Sequence, residues 1–371
     1  MRAVRRRMSV VCAVVFSTVG PVTTATPAQA ADVGCGSVIT ESTVLHADVG
    51  PCPTGPGLVI DASDIVVDLN GFQVKGVNGA TEETVGVLLR RVTGVTLRNG
   101  TVTGFDAGVV IGGGSGNTIE ALTLRDNVGN HPDCSFGDGL ASFNSSDNVI
   151  RNNTVERNGP YSGISLVGAS TANAVRGNRV RDNSLLSVYC GRPDQDIGIR
   201  VEGPGASDNT VSGNVVERNG LAGIALHSTL KGDPQNLRNT VAENRAAENG
   251  VSGGGSGITM LPNGAANFVN RASANVIKGN TVVLNVTDGI QVAGGSVDNS
   301  LLKNSGSGNG RYDASDGNEG CDNNSWVHSN TFVTVNQPCV LGNPNAGPKD
   351  DDPEPDLSVT PHDFPPSLLG L

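Results

Sequence analysis

Arg200, Glu202 and His227 bring a cation, an acid and a base into two neighbouring repeats of one motif. Each lies two or four residues after a glycine that opens a Gly-Ile-x-Val or Gly-Ile-x-Leu segment, at Gly198 and Gly223. If the residue after each glycine points inward, positions two and four after it point outward. Glu202 and His227 then occupy the same position on adjacent strands, with Cβ atoms about 5 Å apart. Such a trio suits proton abstraction beside a carboxylate, with Arg200 neutralising that carboxylate and His227 taking the proton. Hydrolysis of a glycoside would instead need two carboxylates roughly 5 to 9.5 Å apart, for which Asp196 and Glu202 are the nearest candidates. The plainer alternative is an outward cluster that only solvates the sheet.

These residues are positioned by a repeat. Glycine followed by Ile, Val or Leu recurs at Gly86, Gly108, Gly139, Gly163, Gly198, Gly223, Gly257 and Gly289. The base period is 22–25 residues, interrupted by insertions of about ten. Within six consecutive units Asn recurs every five residues, from Asn148/Asn153/Asn158 to Asn299/Asn304/Asn309. Segments this short cannot be helices, and their alternation sends Val and Ile to one side. The pattern predicts an all-β solenoid of about ten coils with three short strands per coil. Asn is expected at the bends, where it tolerates left-handed backbone geometry, with Asn153, Asn178, Asn214, Asn244 and Asn280 stacked as a ladder.

Over residues 57–336 this pattern resembles the right-handed parallel β-helix repeats of the pectin-lyase-like superfamily. That resemblance implies the fold. For function it implies a range: polysaccharide lyases, glycoside hydrolases, uronan epimerases, phage tailspikes, and non-catalytic surface proteins. β-Helix proteins that assist metal-site assembly form a remoter class. The polygalacturonase and pectate-lyase signatures are absent. Asn130-His131-Pro132-Asp133 only scrambles the epimerase motif Asp-Pro-His-Asp, so no catalytic residue carries over.

Insertions at 128–137 and 184–195 precede the units at Gly139 and Gly198, and two more, 227–238 and 262–274, follow their strands. Long loops on a rigid scaffold are where function concentrates. His131, Asp133, Tyr189 and Asp194 are therefore the expected substrate-binding residues. A Cys134–Cys190 bridge would tie two of these loops together.

Residues 1–30 read as an export signal: Arg2, Arg5, Arg6 and Arg7, an apolar run from Val10 to Val19, then Ala28-Gln29-Ala30. Removing them takes the formal charge from −11 to −15. That acidity argues against nucleic acid as a partner, and no apolar run reaches the roughly 18 residues of a membrane span. Six cysteines remain after cleavage. Sequence order suggests Cys35–Cys52, Cys134–Cys190 and Cys321–Cys339, as befits an oxidising compartment. Residues 31–56 are expected to cap the first coil, 57–340 to form the β-helix with a C-terminal cap, and 341–371 to form a disordered acidic, Pro-rich tail. Asp313, Asp316 and Asp322 could supply oxygen ligands to Ca²⁺, although an acidic turn beside the last disulfide is the plainer reading. The expected protein is a secreted monomer that cleaves or epimerises an extracellular polysaccharide. The alternative is a non-catalytic β-helix that binds glycan or protein.

Overall fold

The computed structural model describes residues 33–79, 82–129, 136–185, 196–203, 205–227, 236–261 and 272–342. The described residues fold as a right-handed parallel β-helix. One broad sheet holds eleven parallel strands, one per coil. They are Ser37–Ile39, Pro56–Ile60, Val85–Arg90, Ala107–Gly112, Leu140–Phe143, Ser162–Val167, Ile197–Glu202, Ile224–His227, Ile258–Leu261, Ile290–Val292 and Ala314–Asp316. The other two faces are stacks of strands that are mostly three residues long, such as Thr154–Glu156 on Arg179–Arg181. Eleven rungs span about 50 Å.

The coils start earlier than expected. Ser37–Ile39, Thr43–Val44 and Val49–Cys52 each pair with the following rung. The segment expected to cap the first coil is thus itself a coil, closed by Cys35–Cys52. Cys321–Cys339 closes the other end, where Trp326 and Phe332 meet edge to face at 6.1 Å. The interior is one continuous stack of Val, Ile and Leu, including Ile199, Val201, Ile224 and Leu226. Stacking is what buries it, since a single rung has no second layer.

Asparagine does align in ladders, three of them. One runs through Asn153, Asn178, Asn214, Asn244, Asn280, Asn304 and Asn330, each side-chain amide donating to the next carbonyl at 3.0–3.1 Å. A second runs from Asn117 to Asn324. A third runs from Asn127 to Asn309. The expected reason for Asn is corrected, however. The left-handed residue at each bend is the one before the ladder Asn: Arg157 (φ 53°), Asp182 (φ 55°) and Arg218 (φ 52°) precede Asn158, Asn183 and Asn219. Asn is therefore selected for its amide. Asn214 shows why: its Oδ1 accepts the backbone N–H and the amide of Asn178, and its own amide donates to Asn244 Oδ1 and Val175 O. All four of its side-chain hydrogen-bonding sites are filled in a buried position.

The repeated glycine belongs to the same steric unit. A Cβ on Gly198 would lie 2.5 Å from Val216 Cγ1, 2.6 Å from Gly223 O and 2.7 Å from the Asn219 amide nitrogen. The strand can pass the ladder only without a side chain there.

Outside, stacking identical positions would set like charges 5 Å apart, so signs alternate. On one corner Arg125, Glu156, Arg181 and Glu217 form one column. Asp126, Arg157, Asp182 and Arg218 form the next in opposite phase. Contacts run up the columns, as in Arg181–Glu156 (2.6 Å), Arg157–Asp126 (2.8 Å) and Arg218–Asp182 (2.8 Å). They also run across, as in Arg125–Asp126 (2.8 Å) and Arg157–Glu156 (3.0 Å). Ion pairs this exposed are individually weak and act as a network.

Candidate functional site

Along the outer face of the broad sheet, the row two residues after each repeat glycine changes character midway. It runs Leu88, Val110, Ala141, then Ser165, Arg200, Ala225, Thr259, Gln291 and Ser315, with every neighbour in register. The first half is packed under Phe136, together with Val85, Ala107 and Phe143. The second half is polar.

Arg200, Glu202 and His227 lie where the register predicted. Glu202 is paired with His227 across the rung, and Arg200 with Ala225. Arg200 Nη1 donates to Glu202 Oε2 at 2.8 Å, and Glu202 Oε1 faces His227 Nδ1 at 3.8 Å, beyond hydrogen-bond length. The expected open face is corrected: the three side chains are 0%, 1% and 1% exposed. They project away from the coil interior, because Ile199 and Val201 fill it, yet they are shielded from water. Arg200 is committed to Glu202, and removing one member of a buried pair leaves an uncompensated charge.

Among the described residues, Ser162 Oγ, Ser165 Oγ and both His227 imidazole nitrogens are buried on this face with no hydrogen-bond partner. Each such atom costs about 1–3 kcal/mol, and orphans of this kind are rare in native structures. Nothing in the sequence around Ser165 singles it out. Its signal is the change from apolar to polar along the row, visible only once the rungs are aligned.

Asp196 is also buried, but it does not join Glu202. Six residues of extended strand put their Cα atoms roughly 20 Å apart, beyond the two-carboxylate spacing of a hydrolase. Asp196 instead accepts from Ser252 Oγ at 3.4 Å. His131, Asp133, Tyr189 and Asp194, with Cys134 and Cys190, lie outside the described residues.

The acidic group at the last coil is corrected. Asp313 accepts the Asn309 amide at 2.8 Å, and the backbone N–H groups of Val333 and Thr334 at 3.0 Å. Asp316 shares the row of Val292 and points inward, where it accepts from Trp326 Nε1, Asn324 Nδ2 and the backbone and amide of Asn318. Asp322 is exposed, on a left-handed residue. The first two carboxylates are occupied by protein donors. Among the described residues no three His, Cys, Asp or Glu are grouped to hold a metal ion. Burial pushes the Asp316 carboxyl up, against the pull of the Trp326, Asn318 and Asn324 donors. Burial alone would also raise Asp313, but donors from Asn309, Thr334 and Val333 outweigh it and hold it below the usual range.

Residues 56–231 match the family described as right handed beta helix region. No curated protein sequence is significantly similar to the chain. Among solved structures, the Dettilon tailspike protein superposes with a TM-score of 0.54 at 16% identity, covering 82% of this chain and 61% of the tailspike. A tailspike mutant of E. coli bacteriophage HK620, in complex with a pentasaccharide, gives 0.52 at 12% identity, covering 79% and 55%. The catalytic unit of an alpha-1,3-glucanase from Streptomyces thermodiastaticus gives 0.51 at 15%, covering 82% and 63%. At these identities the likeness is one of fold. The chain spans about three fifths of the length of these proteins.

Proposed function

We propose that this right-handed β-helix chain acts on extracellular polysaccharide through the polar half of the broad sheet's outer face. In this reading His227 transfers the proton, and Arg200 fixes the Glu202 carboxylate beside the imidazole. The observation that carries it is the group of partnerless buried atoms, Ser162 Oγ, Ser165 Oγ and the two His227 nitrogens, since a sugar's hydroxyls can both donate to and accept from them. The β-helix folds of a tailspike in complex with a pentasaccharide and of a glucanase catalytic unit support the class of ligand. Export is part of the proposal, resting on the character of residues 1–30 and on the two disulfides, which form in oxidising compartments.

A screen of the mature protein against neutral and anionic polysaccharides tests this reading. New reducing ends report chain cleavage, absorbance of unsaturated uronate reports elimination, and NMR reports epimerisation. Activity lost in His227→Gln with folding intact is the expected result. Activity that survives in this variant moves the site elsewhere. A second reading, a glycan-binding β-helix without turnover, is favoured by the distance between Asp196 and Glu202, which leaves a single carboxylate beside His227 among the described residues. Saturable binding that His227→Gln weakens, with no product by any of the three assays, selects it.

A further inference from the structure

We infer, resting on the polysaccharide reading above, that the glycan this face takes is uncharged and hydroxyl-rich, and is not a polyuronate. A polyuronate would lay one carboxylate per sugar along the sheet. Each carboxylate that leaves water needs a cation or several converging donors. Among the described residues, every arginine of this face already holds a carboxylate: Arg90 with Asp61, Arg200 with Glu202, and Arg311 with Asp288. No lysine lies in the eleven strands of the sheet. Glu202 and Asp288 are the acids those arginines hold, and Asp138 and Asp196 are buried beside the same strands, so the described part of the face offers a carboxylate no arginine or lysine that is not already paired. The chain's net charge of −11 also disfavours a polyanion.

The groups that remain suit the opposite ligand. Ser165 lies on one side of Arg200 and Ala225 in the row, and Thr259, Gln291 and Ser315 follow one another on the other. Hydroxyls and amides both donate and accept, as sugar hydroxyls do. Beside Ser165, Phe143 and Val167 occupy paired positions at the apolar end, where the C–H face of a sugar ring can lie. Neutral polar atoms next to an apolar strip match an uncharged hexose polymer.

The test is affinity measured on the mature protein at 20 and 200 mM NaCl, with neutral probes (laminarin, pullulan, mannan) and anionic probes (alginate, polygalacturonate). Binding to a neutral polymer is expected, with a salt effect under about twofold and anionic polymers weaker by about tenfold or more. Ser165→Val and His227→Gln, each verified as folded by circular dichroism, are expected to weaken it about tenfold. Tighter binding to a polyuronate, falling steeply with salt, overturns this inference and leaves the polysaccharide site standing. Binding to no polymer, or neutral binding indifferent to both substitutions, overturns the site and the inference together.

Discussion

Asn309 donates its side-chain amide to Asp313 Oδ1 at 2.8 Å, and so hands the end of an asparagine ladder to a carboxylate. The ladder is directional: its bonds from amide to side-chain carbonyl run toward the C-terminal coil. A carboxylate accepts without having to donate onward, so aspartate fits only at the last rung. The ladder that ends at Asn324 terminates likewise, on Asp316 Oδ2 at 3.1 Å. The two acids that resembled metal ligands in the sequence are the stops of two hydrogen-bond chains.

Mid-ladder substitutions should therefore be severe. Asn214→Ala removes four hydrogen bonds at a buried position and should cost about 4 kcal/mol or more. Asn214→Asp should cost at least as much, because a carboxylate would face Val175 O and Asn244 Oδ1 without a proton to offer. Denaturant unfolding of both variants measures this.

The alternating charges on the corner predict a salt-dependent effect. Arg181→Glu would face Glu156 and Glu217 with a like charge, at a cost of about 1 kcal/mol at low ionic strength. Raising NaCl to 1 M should erase most of the difference. The glutamates at 156 and 217 flank Arg181 on adjacent strands, so Glu156→Arg in the same chain should recover part of the loss.

Acid should weaken the fold through the paired carboxylates. Burial alone would push the Asp126 carboxyl up, but hydrogen bonds and charge from Arg157 and Arg125 outweigh it and hold it below the usual range. A depressed native pKa gives stability that is present above the unfolded value of about 3.9 and lost as pH falls through the native one. Asp313 behaves in the same way. Asp126→Asn should lower stability at pH 6 and flatten its decline below about pH 4, as urea midpoints across that range would show.

Arg200 and His227 should separate stability from activity. Arg200→Ala takes the buried guanidinium away from the Glu202 carboxylate and should cost about 3–5 kcal/mol of folding stability. The burial of Arg200 excludes the simpler expectation that an outward side chain is dispensable. Among the described residues the His227 imidazole has no hydrogen-bond partner, so His227→Gln should stay within about 1 kcal/mol of wild type while losing activity by a factor on the order of 10² to 10⁴. Thermal melts beside polysaccharide turnover test both.

Two of the three disulfides expected from sequence order are formed. Cys134 and Cys190 are the remaining pair of the mature chain. Non-reducing mass mapping should find them linked, and a free thiol at either position would remove the expected tie between the loops that carry them.

The sequence by itself determined the coil, its handedness class and its register. Gly198 meets Val216 and Asn219 as Gly163 meets Val180 and Asn183, and as Gly139 meets Val155 and Asn158, and a contact repeated from rung to rung leaves a recurring pattern in the chain. That pattern sufficed to place Glu202 opposite His227. Tertiary structure decided what no period carries. Whether an outward side chain meets water depends on what covers it from other parts of the chain, so the burial of Arg200 and its commitment to Glu202 were not legible. Nor were the ladder stops: Asn285 meets Asn309 one full coil later, but Asn309 meets Asp313 four residues on, at a break in the repeat. Asp196 and Glu202 are near in sequence, yet an extended strand holds them roughly 20 Å apart. Ser165 and His227 lie 62 positions apart in sequence, and stacking brings them within two rungs on one face.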